Sequence, residues 1–176
     1  GTAGLDTRRD RMGVHITAGD IDNDGWIDIF VNGFNYSQLY INQRNGTFKN
    51  EAVARGIVKG SLDGFATWMF DYDNDGDMDI VAAVFAMPDK YFLGGFGAFP
   101  PEHFTTPKPS EALWHPSLLY RNDGKGHFTE IGSEAGLISV AVMGGQFIDM
   151  ELDGRLDIVL GPGSHPLHNI QPLFLY

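Results

Sequence analysis

Asp20-Ile21-Asp22-Asn23-Asp24-Gly25-Trp26-Ile27-Asp28 places carboxylates at positions one, three, five and nine, with glycine at six. Oxygens at that spacing suit a hard cation. Ca²⁺ takes six to eight oxygen ligands at about 2.3–2.6 Å, and alternate residues of a tight loop can turn three carboxylates inward together. Glycine allows the backbone angles of the sharp turn, and residue seven can offer its carbonyl. The expected ligands are Asp20, Asp22, Asp24 and Asp28 with the Trp26 carbonyl. The pattern recurs at 71–79, giving Asp71, Asp73, Asp75 and Asp79 with the Asp77 carbonyl. A third copy at 149–157 offers Asp149, Glu151, Asp153 and Asp157 with the Arg155 carbonyl. There Glu151 replaces an aspartate and Leu152 replaces the turn-favouring asparagine, so this loop is expected to bind most weakly. One such loop could be an acidic surface turn, but three in the same local context argue for metal sites. Ca²⁺ is preferred to Mg²⁺ because seven flexible oxygens suit the larger ion.

Such loops need regular elements on both sides. The runs 27–31, 78–82 and 156–160 are β-branched and too short for independent helices. Leu39-Tyr40-Ile41-Asn42-Gln43-Arg44-Asn45-Gly46-Thr47-Phe48 aligns without a gap on Leu119-Tyr120-Arg121-Asn122-Asp123-Gly124-Lys125-Gly126-His127-Phe128. Eight residues past each Phe comes a glycine and an apolar residue, Gly56-Ile57 and Gly136-Leu137. Gly4-Leu5 is the same feature from a preceding copy, and Leu175-Tyr176 matches Leu39-Tyr40. The chain therefore divides into the tail of one unit (1–10), units at 11–60 and 61–140, and the first part of another (141–176). Each unit reads as four strands. The first leads into the acidic loop, the second leaves it, the third carries Leu-Tyr and the fourth begins at Phe. Asn45-Gly46 and the 124–126 segment are hairpin turn signals. Only 51–54 and 133–135 suggest a helical turn.

From the last loop aspartate to the Leu of Leu-Tyr is 11 residues in the first unit, 40 in the second and 18 in the third. The second unit thus carries an insertion at about 85–116. All nine prolines fall in the two enlarged connections, which places them outside the strand framework. The insertion holds Tyr91, Phe92, Phe96, Phe99 and Trp114 among glycines and prolines. Rings that dense bury themselves against their own blade or against a partner. For a protein or glycan partner, these five are the candidate anchors. A strand of five or six residues runs about 17–20 Å, so the second strand carries the chain away from the acidic loop. The insertion and the acidic loops are expected on opposite faces.

The net charge of −11 has a local origin, since thirteen of the 23 acidic residues lie in the three loops. No basic patch offsets that field, which argues against nucleic acid as a partner. The absence of cysteine excludes disulfides and thiolate metal sites. No apolar run approaches the roughly 18–20 residues of a membrane span. The six histidines read as ordinary polar residues; Pro166 opposes a helix that would present His165 and His168 together. Nucleophile-elbow, phosphate-loop and zinc-protease motifs are absent.

A repeat of about 50 residues with four short strands fits a β-propeller blade. An EF-hand would need Glu at loop position twelve, where Val31, Ala82 and Leu160 stand. The residues resemble FG-GAP/VCBS-type repeats, as in the propellers of integrin α chains. They resemble still more closely the bacterial repeats that accompany ASPIC/UnbV domains. The likeness is carried by 19–25 with Asp28, by Leu39-Tyr40-Ile41-Asn42, by Gly46-Thr47-Phe48 and by Gly56-Ile57, with their second-unit counterparts. It implies an all-β fold in which blades of four antiparallel strands carry calcium loops between the first and second strands. It also implies an extracellular, cell-surface or periplasmic setting. Propellers close with about four to eight blades, so the chain is expected to be a segment of a larger propeller. The remaining blades would come from the same or another chain.

The expected function is a non-catalytic calcium-binding module for adhesion, assembly or partner docking. Two alternatives stay open. One is a structural subunit of a large extracytoplasmic complex or filament, with the insertion as its contact. The other is part of a polysaccharide-active propeller enzyme, with titratable groups on the face opposite the loops.

Overall fold

Each β-branched run becomes the second strand of its own antiparallel sheet in the computed structural model, which describes residues 3–5, 13–33, 36–57, 64–84, 117–137 and 142–162. The first sheet takes β1 (Gly13–Gly19), β2 (Asp28–Gly33), β3 (Tyr36–Asn42) and β4 (Phe48–Asn50) in chain order. The second repeats it with β5 (Gly64–Phe70), β6 (Asp79–Val84), β7 (Leu118–Asn122) and β8 (Phe128–Glu130). The third pairs β9 (Val142–Ile148) with β10 (Asp157–Pro162). No helix occurs among the described residues, and the three sheets form no closed ring. The fold is all-β and blade-like, as the sequence implied.

Register puts the acidic loops at equivalent places. Gly19 pairs with Asp28, Phe70 with Asp79 and Ile148 with Asp157, so each loop bridges a first strand and a second. The fourth strands begin at Phe48 and Phe128. The two segments expected to turn helically each make a single turn, with Arg55 N–H donating to Glu51 O at 2.9 Å and Ala135 N–H to Ile131 O at 2.8 Å. Pro162 departs from expectation, because it ends β10 rather than lying beyond it. It pairs with Val142 just after a register shift, a position where the missing N–H is tolerated.

The cores lie between sheets. Alternate residues of β6 face opposite ways, and all six are buried. Ile80 and Ala82 join Ile21, Phe30, Leu39, Ile41 and Ile57 of the first sheet and its connections. Val81 and Ala83 join Val142, Ile158 and Leu160 of the third. First strands lie side by side, with β5 against β1 and also against β9. Face-to-face stacking with first strands adjacent is the arrangement of neighbouring blades.

The recurring glycine followed by an apolar residue is the joint between units. Phe128 N–H donates to Arg55 O at 2.8 Å, and Phe48 N–H donates to Ala3 O at 2.7 Å. The next residue, Gly56 or Gly4, has φ of +87° or +80°, and a Cβ there would overlap the Phe carbonyl. Each unit thus ends by laying its last residues along the outer strand of the next.

β6 leaves its acidic loop at Asp79 and ends at Val84, and β7 returns from Leu118 to pair with Ala82. The connection therefore departs from the end of β6 remote from the loop. Tyr91, Phe92, Phe96, Phe99 and Trp114 lie outside the described residues.

Candidate metal centre

One hydrogen-bond scheme folds all three acidic loops. Asp20 accepts from Asp24 N–H at 3.0 Å and Gly25 N–H at 2.8 Å, which curls the chain around its first carboxylate. Asp71 does the same for Asp75 (3.0 Å) and Gly76 (2.9 Å), and Asp149 for Asp153 (2.9 Å) and Gly154 (2.8 Å). The fifth residue then holds the N–H of the seventh: Asp24 that of Trp26, Asp75 that of Asp77, and Asp153 that of Arg155. The ninth residue closes the base. Asp28 accepts from Asn42 N–H at 2.7 Å, and Asp79 from Asn122 N–H at 2.8 Å and Tyr72 N–H at 2.9 Å. Asp157 accepts from Met150 N–H at 3.0 Å.

This path requires left-handed backbone at position four, where Asn23, Asn74 and Leu152 have φ of 55°, 59° and 57°. Asparagine tolerates that region, whereas a residue such as leucine is strained there by about 1–2 kcal/mol. Leu152 is also 87% exposed, so no packing offsets the cost. Leu152→Asn is expected to stabilise the protein by about 1 kcal/mol, read as a higher urea midpoint with an unchanged slope.

The carboxylates converge differently in the three loops. One oxygen each from Asp20, Asp22 and Asp24 lie within 4.8 Å of one another, as do those from Asp71, Asp73 and Asp79. Among the described residues Asp149, Glu151, Asp153 and Asp157 form no such set. Asp28 and Asp75, expected as ligands, are not part of these two sets; Asp28 accepts from Asn42 N–H and Asp75 from Asp77 N–H. Trp26 and Asp77 bring backbone to the loops, and Trp26 is 46% exposed.

Electrostatics also separates the loops. Arg44 donates to Asp24 Oδ2 at 2.6 Å, and this bond holds the Asp24 carboxyl below its usual range. Arg55 reaches Asp22 Oδ2 at 3.1 Å, while Asp22 Oδ1 is buried with no hydrogen-bond partner among the described residues. Arg155 pairs with Asp153 at 2.6 Å and lowers it in the same way. The second loop has no Arg or Lys ion pair among the described residues, and burial followed by the charge of Asp75 pushes Asp73 up. Burial raises Asp28 and Asp79 to about 6, overriding the backbone N–H groups that favour their charged forms.

The donor set fits a hard cation. It is all oxygen, it converges in two loops, and in the first it leaves one buried carboxylate oxygen without a hydrogen bond among the described residues, a desolvation cost that a bound cation would offset.

Several residues at this centre were not singled out from sequence for a role. Asn42 and Asn122 hold the ninth aspartates through their backbone and the loop ends through their side chains. Their recurrence at the same place in both aligned third strands was the available signal. Arg44, Arg55 and Asn23 carried no comparable signal, since each acts on a partner distant in sequence.

Residues 12–82 match the family model of the FG-GAP-like repeat. The match is to the repeat and does not extend to the closer likeness with repeats that accompany ASPIC/UnbV domains. No curated protein matches the chain.

Proposed function

We propose, from the FG-GAP-like repeat that residues 12–82 form, that this chain is a calcium-binding, non-catalytic module of a β-propeller. It serves outside the cytoplasm in adhesion, assembly or docking to a protein or glycan. The observation that carries the calcium reading is the first loop, where three carboxylates converge and, among the described residues, Asp22 Oδ1 is buried with no hydrogen-bond partner. Asp20, Asp22, Asp24 and Asp28 with the Trp26 carbonyl would hold one ion. Asp71, Asp73, Asp75 and Asp79 with the Asp77 carbonyl would hold a second, and the 149–157 loop a third, weaker one. Bound there, Ca²⁺ supplies positive charge that lets the carboxylates stay close. The protein's part is to fix them, through the backbone bonds to Asp20, Asp71, Asp28 and Asp79. Sites built on partly exposed loops suit the calcium of extracellular modules, with dissociation constants of about 10⁻⁴–10⁻³ M.

Calorimetric titration of the metal-free chain with CaCl₂ tests this. Two sites in that range are expected, with the first lost in Asp22→Asn and the second in Asp73→Asn. A chain that takes up no Ca²⁺ at millimolar concentration would overturn the reading.

A further inference from the structure

The first two loops are wired to each other. Asn122, 3% exposed, donates through Nδ2 to Ile21 O of the first loop at 2.8 Å and to Met78 O of the second at 2.9 Å. Its backbone N–H holds Asp79 Oδ1 at 2.8 Å. Its Oδ1 accepts from Gly124 N–H at 3.1 Å and Gly126 N–H at 3.0 Å, so the amide is fixed from every side. Asn23 of the first loop donates to Asp77 Oδ1 of the second at 2.7 Å. Ile21 is fully buried against Ile80, Tyr120 and Phe128 of the second sheet.

We propose that the first two sites take up Ca²⁺ cooperatively, with Asn122 as positioning residue and the Asn23–Asp77 bond as the second link. The inference rests on the calcium reading above. An ion that fixes Asp20, Asp22 and Asp24 also fixes the residues threaded between them, Ile21 and Asn23. Those two residues hold Asn122 and Asp77, and Asn122 in turn holds Asp79. Ordering one loop therefore removes part of the cost of ordering the other, and by linkage the effect runs equally in both directions.

The test is a thermodynamic cycle on the full chain with CaCl₂ alone, the third loop silenced throughout by Asp153→Asn. Asp73→Asn isolates the first site and Asp22→Asn the second. With both sites intact, the product of the two association constants is expected to exceed the product of the isolated constants by about fivefold or more. Asn23→Gly keeps the left-handed backbone and removes only the side-chain bond, and should shrink that excess. Asn122→Ala should shrink it further. A merely structural role would weaken each site without changing the excess, so the excess is the deciding quantity. Equal products overturn the proposal, as does an excess that Asn23→Gly leaves untouched. Should Asn122→Ala not fold, Asn23→Gly decides alone. Isolated sites that bind no Ca²⁺ at roughly millimolar concentration overturn the calcium reading instead, a result distinct from two sites that bind independently.

Discussion

Stripping Ca²⁺ at pH 7 is expected to lower the melting temperature by on the order of 10–20 °C, and by about half as much at pH 5. A site held at 100 times its dissociation constant contributes about 2.7 kcal/mol. Each kcal/mol shifts the midpoint of a chain this size by about 2–4 °C, and two such sites give the stated range. The pH dependence comes from Asp28 and Asp79, which burial raises to about 6. With folded values above the ordinary 3.8, the metal-free folded state holds more protons than the unfolded chain between about 4 and 6. Its stability is therefore greatest at the acid end of that window and falls as pH rises through it. Ca²⁺ requires both groups ionised, so its contribution is full above pH 6 and is lost as protons compete below. Chelator and calcium melting curves should converge on acidification. The second loop should account for more of the loss than the first, because Arg44 and Arg55 already neutralise part of the first loop's charge. Melting with chelator and with excess CaCl₂ at both pH values measures this. Curves that coincide at pH 7 would remove calcium from the account of stability.

Short-range chemistry was legible in the sequence. The order of strand, acidic loop and strand follows from the acidic motif with a β-branched run leaving each copy. The pairing of Gly19 with Asp28, and its two counterparts, follows from closing that loop. The recurring glycines at 4 and 56 were visible as a repeat but not as a joint, because their meaning lies in the next unit's Phe. Arg55 was opaque for the same reason. It is 33 residues from Asp22 and 70 from Lys125, yet its guanidinium bonds to both. Asn23 read as a turn former, and it is one, but its amide also reaches Asp77 across the sheet boundary. Position and spacing specify what a loop does within itself. Contacts between stacked sheets depend on how far one blade is rotated against the next, which no local pattern records.

Gly56→Ala should destabilise the protein by about 3 kcal/mol or more, one of the largest effects open to a single methyl group here. Two costs combine. Gly56 has φ of +87°, where an L-residue is strained by about 1–2 kcal/mol. Its new Cβ would also overlap the carbonyl of Phe128, which is backbone and cannot swing aside. Relief requires the 51–57 turn to lift off β8, with loss of the bond from Phe128 N–H to Arg55 O at 2.8 Å. A buried backbone bond of that kind contributes about 1 kcal/mol. Lifting the turn would also pull Arg55 from Asp22 and from the Gly126 carbonyl, loosening the first acidic loop. Gly46→Ala is the internal control. Gly46 has a comparable φ of +81°, but nothing lies within 4 Å of the added Cβ. It should show the backbone strain alone, about 1–2 kcal/mol. Urea midpoints of the two variants, in saturating CaCl₂, separate the steric part from the conformational part. Equal losses in the two would mean that the unit joint yields to a methyl group, and that the blades are held by their apolar faces rather than by the close approach of Gly56 to Phe128.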